Sequence, residues 1–373
     1  MPRLSRPPLR VWVWIAASLA AVVVAALLWR GSDAAATEST TAAPADVPPG
    51  TPAGAVSQAW SASGDPLPED VIEAGRVIVG STHGVRALDA QTGEEAWHYT
   101  RSNARLCGLT ATNGVAVAVF RTENRCDEAV ALNAGTGVRA WTRSIRLRGD
   151  ARLDSTDRIV LATSPTGLVT LDPTGDNIRW RYAPPAGCEL LQADVGSAGV
   201  AVLQRCSPSV VQLRLLDGFD GSPHWSRDLA ARDGTTVRLL GADALLGLVL
   251  GDEVQALASV DGAVLRRLPV PDGEQVQQCT TATVAMVWIG TTLSGLDVTS
   301  GAVRWTAPAV GLPTAETATT VLVPDADGFT HRDLVTGTEF ARSAVPDLPA
   351  GGIASAVGPA VVYRLPGEVL GYR

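Results

Sequence analysis

An eleven-residue cassette recurs down this chain, most completely as Ala87-Leu88-Asp89-Ala90-Gln91-Thr92-Gly93-Glu94-Glu95-Ala96-Trp97, where an acid or amide, a glycine and a tryptophan follow at steps of four. Further copies carry Asn133, Gly137 and Trp141; Asp172, Asp176 and Trp180; Asp217, Gly221 and Trp225; and Asp297, Gly301 and Trp305. Two worn copies place Gly262 before Arg266 and Gly337 before Ala341. A chain that repeats itself in this way is built from like units that bury their apolar faces on one another, not from one irregular core.

Upstream of each cassette stand short alternating apolar runs, such as Val77-Ile78-Val79 and Val85-Arg86-Ala87-Leu88, separated by a polar turn. That is strand patterning. The acid or amide that closes a strand can accept backbone N–H bonds from the following turn, and glycine supplies the positive φ that the turn needs. The tryptophan then opens the next strand, where its ring is read as packing. Successive cassette ends fall 36 to 45 residues apart, the period of a four-stranded propeller blade. Trp60 ends a fragment, Val56-Ser57-Gln58-Ala59-Trp60, that has no strands before it, and the last strands, Val361–Tyr363 and Gly367–Tyr372, have no outer partner. Pairing the two ends would close a ring and remove exposed sheet edges. The expectation is an all-β propeller of eight four-stranded blades, with seven as the alternative because the copies ending at Arg266 and Ala341 are degraded.

The string Gly-x-Val-x-Ala-Leu-Asp-x-x-Thr-Gly-x-x-x-Trp resembles the repeat of the PQQ-like (quinoprotein dehydrogenase-like) β-propeller superfamily, and the likeness runs through nearly everything after residue 54. It implies eight blades docked through their tryptophan motifs. Quinone-dependent enzymes of that superfamily imply a Ca²⁺ held by acids and amides, a catalytic Asp and adjacent cysteines; no such set is recognisable here. Glu69, Asp70, Asp150 and Asp154 fall near the expected inner rim, yet their spacing fixes no ligand set. The cofactor expectation is therefore none, and no metal or catalytic residue is assigned.

Val11 to Trp29 is free of charges and bounded by Arg10 and Arg30. Its 19 residues would span about 28 Å as a helix, close to a bilayer core. Arg3, Arg6 and Arg10 precede it, so the positive-inside rule puts the N-terminus in the cytoplasm and the propeller outside. The alternative is a signal peptide cleaved after Ala34-Ala35-Ala36. Residues 31–53 are rich in Ala, Thr and Pro and read as a flexible tether that holds the ring a few tens of ångströms off the membrane. The domain plan is thus a tail over 1–10, a transmembrane helix over 11–29, a linker over 31–53 and a propeller over 54–373.

The chain has no Lys; its 30 Arg face 38 acids, which gives no basic stripe for nucleic acid and removes lysine-dependent chemistry. Cys107 and Cys188 fall near the start of innermost strands, with Cys126 and Cys206 following 19 and 18 residues later in equivalent turns. Pairs Cys107–Cys126 and Cys188–Cys206 are expected in an oxidising compartment, with Cys279 left as a free thiol. His83, His98, His224 and His331 are scattered, without metal-ligand spacing. Arg143, Arg146, Arg148 and Arg152 cluster along one expected inner strand as a solvated face or as an anion or partner contact. The functional expectation is a membrane-tethered extracytoplasmic module that binds an envelope protein or cell-wall component. The alternatives are a PQQ-dependent dehydrogenase with a reduced site and a sensor of an extracellular small molecule.

Overall fold

The computed structural model describes residues 8–64, 72–122, 124–148, 151–232 and 234–373. Eight antiparallel sheets form an eight-bladed β-propeller. In chain order the blades occupy 72–101, 105–144, 152–182, 189–230, 237–269, 276–308, 314–344 and 353–372, each a meander running from the innermost strand to the rim. The eighth blade takes its outermost strand from the N-terminal side: Gln58–Ser63 pairs antiparallel with Glu368–Tyr372. The worn copies ending at Arg266 and Ala341 each open the outer strand of a complete blade, so the count is eight.

Because every blade is covered on both faces by its neighbours, its middle strands lose the in/out alternation of an ordinary half-buried sheet. Val77, Ile78 and Val79 are all fully buried, as are Val117, Ala118 and Val119. The apolar clusters accordingly lie between blades: Val85, Trp97 and Tyr99 of blade 1 pack with Phe120, Val130 and Leu132 of blade 2.

The cassette supplies the outer seam. The Trp97 indole donates to Ala134 O at 2.9 Å, Trp141 to Pro173 O at 2.9 Å, Trp180 to Gly218 O at 3.0 Å, Trp225 to Ser259 O at 2.7 Å, and Trp305 to Leu334 O at 2.9 Å. Trp60 closes the circle onto Ala90 O of blade 1 at 3.3 Å. In each case the acceptor is the fourth residue of the next blade's cassette, the one after its acid or amide position. The cassette glycine then has two duties. Gly137 sits at φ 76°, and a Cβ there would lie 2.7 Å from Trp97 Cγ, so both the backbone and the neighbour's ring demand its bareness.

Helix α1 (Leu9–Arg30) is long and apolar enough to cross a membrane, and it extends one or two residues beyond the expected span at each end. Beyond it the expectation of a loose tether gives way. A one-turn helix α2 (Asp33–Ala36) leads into strand β1 (Thr37–Ser39), which joins blade 1 as a fifth strand on Tyr99–Arg101. The chain then lies on the ring as far as residue 48. Thr40 exchanges bonds with His98, Ala42 N donates to Thr136 O, Arg76 Nη2 donates to Ala43 O, and Val47 covers Gly75. Composition misled because Ala, Thr and Pro carry no strand periodicity, while main-chain bonding to an open sheet edge does not depend on side chains.

Candidate functional site

At the centre of the ring the innermost strands enclose a cavity of about 910 Å³. Its wall includes Ser164 and Pro165 from the turn between the second and third strands of blade 3, and Leu365 and Pro366 from the same turn of blade 8. The funnel therefore opens on the face opposite the cassette turns, which join the third and fourth strands. Both disulfides form as expected, Cys107–Cys126 in blade 2 and Cys188–Cys206 in blade 4, and Cys107 lines the funnel. Cys279 remains a thiol, with Sγ 3.2 Å from Pro313 O.

Strand alternation decides which side chains face the cavity. In blade 3, Leu153 and Ser155 are buried toward the neighbouring blade, and Ser155 Oγ lies 2.7 Å from Thr110 Oγ1. Arg152 and Asp154, on the other side of the same strand, line the funnel. In blade 4, Ala193 and Val195 are buried in the interblade cluster, which turns Gln192 and Asp194 inward. Irregular registers interrupt the innermost strands of blades 2, 4 and 5 at Leu106/Gly108, Leu190/Gln192 and Leu239/Gly241. Such bulges re-aim side chains beside sites. Gln192 exploits one of them: its carboxamide takes the N–H of Leu239 at 2.9 Å and returns a bond to Leu239 O at 3.2 Å, stitching blade 4 to blade 5.

The wall thus carries both charges. Burial, reinforced by the charge of Asp154, pushes the Asp194 carboxyl up to about 7 against the opposing bond from Val195 N–H. Burial also lowers the Arg238 guanidinium, whose Nη2 donates to Val276 O at 2.8 Å. Gln277 Oε1 is buried at the wall without a hydrogen-bond partner among the described residues. Such a surface suits a polar segment that brings its own charges and N–H groups. The described wall offers two carboxylates, Asp154 and Asp194, of which Asp194 is held toward its protonated form. Among the described residues, no group of three or more His, Cys, Asp or Glu side chains converges.

The arginine cluster expected from the sequence is dispersed. Arg152 lines the funnel, Arg143 lies 3.8 Å from Asp176 of blade 3, and Arg148 is exposed. Arg146 takes φ 55° in the connection to blade 3, and its charge, after burial, helps lower the Arg181 guanidinium. Glu69, Asp70 and Asp150 lie outside the described residues, while Asp154 is in the wall. Asp194, Arg238, Gln192 and Gln277 were not singled out from the sequence. Their signal was a polar residue alternating with apolar ones on an innermost strand, readable only after each blade's first strand is known.

The histidines hold local structure. His83 Nδ1 lies 2.7 Å from Ala104 O, His98 lies beside Glu95 at 2.7 Å, and His224 is 3.8 Å from Asp217. In blade 7, His331 bridges Glu316 at 2.9 Å and Ser343 Oγ at 3.2 Å, an order seen in nucleophilic triads. Ser343 is fully buried, however, and the three act as a brace between strands.

The family of the outer membrane protein assembly factor BamB matches this sequence over residues 27–188, under half of the chain. Among solved structures, BamB from Moraxella catarrhalis aligns at 17% identity over 85% of this chain and 99% of its own, with a TM-score of 0.48. The computationally designed Ika8 protein aligns at 14% identity over 83% and 96%, with a TM-score of 0.56. A quinohemoprotein alcohol dehydrogenase from Comamonas testosteroni aligns at 11% over 86% and 76%, with a TM-score of 0.51. These likenesses concern the fold. No curated protein matches the sequence.

Proposed function

We propose that this chain, a member of the PQQ-like β-propeller superfamily, is a protein-binding scaffold of the cell envelope, anchored by α1 with its N-terminus inside and its ring outside, that grips its partner at the funnel. The observation that carries the reading is the funnel wall: a cavity of about 910 Å³ with Arg152, Arg238, Asp154 and Asp194 on its inner strands, those of blades 4 and 5 interrupted by register irregularities. A partner segment supplying charges and N–H groups would meet complementary groups there, which favours specificity over bulk affinity. The match to the BamB family over 27–188 supports an envelope role, and the two disulfides support an oxidising compartment.

The test is photocrosslinking in membranes from the full-length chain. A photoreactive residue at Leu191, exposed in the funnel wall, should capture one discrete protein, and the double variant Arg152→Gln/Arg238→Gln should reduce that capture about tenfold or more, given ~1.5–3 kcal/mol per charged hydrogen bond. The same residue at Phe219, on the opposite face, should not capture it. Equal capture from both positions, or capture untouched by the double variant, would remove the funnel as the binding site.

A further inference from the structure

The N-terminal segment is clasped where a tether was expected, and the clasp has a polar lock. Arg101 ends the outer strand of blade 1 with its side chain 1% exposed. One arm reaches Glu128 of blade 2, and Nη2 donates to Asp33 Oδ1 at 2.7 Å. The same Asp33 oxygen accepts from Asn103 Nδ2 at 2.7 Å, and Ala36 O accepts from Ser102 N at 2.9 Å. Three ladder residues, Thr37 to Ser39, then continue the sheet. The charge-assisted bond from Arg101 to Asp33 and the main-chain ladder together favour the docked state.

Its place matters as much as its strength. Thr37 pairs with Arg101, at the end of the strand that leads on to the innermost strand of blade 2, where Cys107 lines the funnel. α2 therefore stands on the rim of the face on which the funnel opens. Only Gly31, Ser32 and the single turn of α2 separate Arg30 from Ala36, at most about 16 Å of chain. The headgroup layer alone takes up ~5–8 Å of that distance.

We infer that residues 33–39 clamp the funnel-side rim of blades 1 and 2 against the bilayer surface, so that the funnel opens beside the membrane and its partner is engaged at a membrane-adjacent segment. The inference rests on the reading of α1 as a retained anchor. A flexible chain over residues 31–53 would let the ring tumble at ~25 Å from the surface; the clasp removes that freedom.

The full-length chain in phosphatidylcholine nanodiscs containing a nitroxide-headgroup lipid tests this. In a Cys279→Ser background, a fluorophore is placed by Thr82→Cys, on the funnel-side turn of blade 1, or by Phe219→Cys, on a cassette turn of blade 4. The Thr82 probe should be quenched roughly twofold or more, because a clamped rim lies about one headgroup layer, ~5–8 Å, from the nitroxide, while the Phe219 probe should be unaffected. The variant Asp33→Ala/Glu38→Pro, which opens the clasp and leaves the blades intact, should abolish the difference. Equal, weak quenching at both probes on a chain whose intact mass includes residues 1–36 would overturn the clamp alone. Quenching at Thr82 that survives the open variant would overturn the role of the clasp. An intact mass beginning after Ala36 would overturn the anchor and the clamp together.

Discussion

The ring has two seams, and they are built by opposite rules. At the rim, one joint is repeated: a tryptophan N–H on the next blade's carbonyl, over a glycine at positive φ except where blade 3 has Asp176. At the inner wall, every joint is different. Thr110 meets Ser155, Gln192 brackets Leu239, Gln278 donates to Leu245 O, and Thr314 donates to Ala354 O. A joint whose only duty is to fix blade spacing can use one solution throughout, so it appears as a repeat. A wall that also presents a surface cannot, and its residues look unrelated in sequence.

The sharpest way to separate the seams is to remove one joint from each. Trp97→Ala deletes a fully buried ring, its N–H bond and the cover over Gly137, and should cost about 3–5 kcal/mol. Arg152→Gln, on an exposed side chain of the inner wall, should stay within about 0.5 kcal/mol. Urea titrations of both variants check this. A Trp97→Ala loss no larger than that of Arg152→Gln would show that the rim joint does not hold the blades.

Next in size are the disulfides, which sit on the funnel side, where no cassette reinforces the ring. Replacing Cys107 and Cys126 by Ala opens a loop with a sequence separation of 19 and should cost about 3 kcal/mol on the chain-entropy account. Thermal melting with and without reductant is the measurement. A wild-type melt indifferent to reductant would mean that the funnel side is rigid without its bridges.

The wall's own cost is visible in pH. The Asp194 carboxyl is held near 7 by burial and by Asp154, against an ordinary value near 4, so the folded state binds the proton more tightly than the unfolded chain does. Stability associated with this group is full below the ordinary range, falls as pH rises from about 4 to about 7, and is level above that. The slope cannot exceed ~1.4 kcal/mol per pH unit. Asp194→Asn should match the wild type at pH 4 and exceed it by about 1 kcal/mol or more at pH 8. A stability difference that is constant across that range would mean that the carboxyl is solvated.

The same contrast explains what was legible. The blade count, the closure by Gln58–Ser63 and both disulfides follow from a periodicity of residues with fixed physical duties: Gly for positive φ, Trp for a large interblade contact, Cys at matching offsets. Asp194 and Arg238 carry no such mark, because a polar residue on a strand is as compatible with solvent as with a funnel wall. The docked segment was illegible for another reason. Its hold on blade 1 is mainly backbone ladder plus Asp33 on Arg101, and Arg101 lies 68 residues away in the chain.

The smallest effect tests whether the cassette rule has a real exception. Blade 3 places Asp176, at φ 51°, where the other cassettes have glycine. Its Oδ1 is buried without a partner among the described residues, and its Oδ2 gains only a loose, half-exposed contact with Arg143 at 3.8 Å. Three contributions decide Asp176→Gly. Relief of the left-handed backbone and of the unsatisfied oxygen favours the variant by about 1–2 kcal/mol together. The greater unfolded-state freedom of glycine opposes it by ~0.5–1 kcal/mol, and the lost ion pair by less than ~0.5 kcal/mol. The net expectation is a gain of about 0.5 kcal/mol. The mirror change, Gly137→Asp in blade 2, should instead be costly by about 2 kcal/mol or more, since its Cβ would meet Trp97 at 2.7 Å. Denaturation of the two variants side by side would break the comparison if Asp176→Gly proved the more damaging, because the rim joint of blade 3 would then be a different joint and not a worn copy.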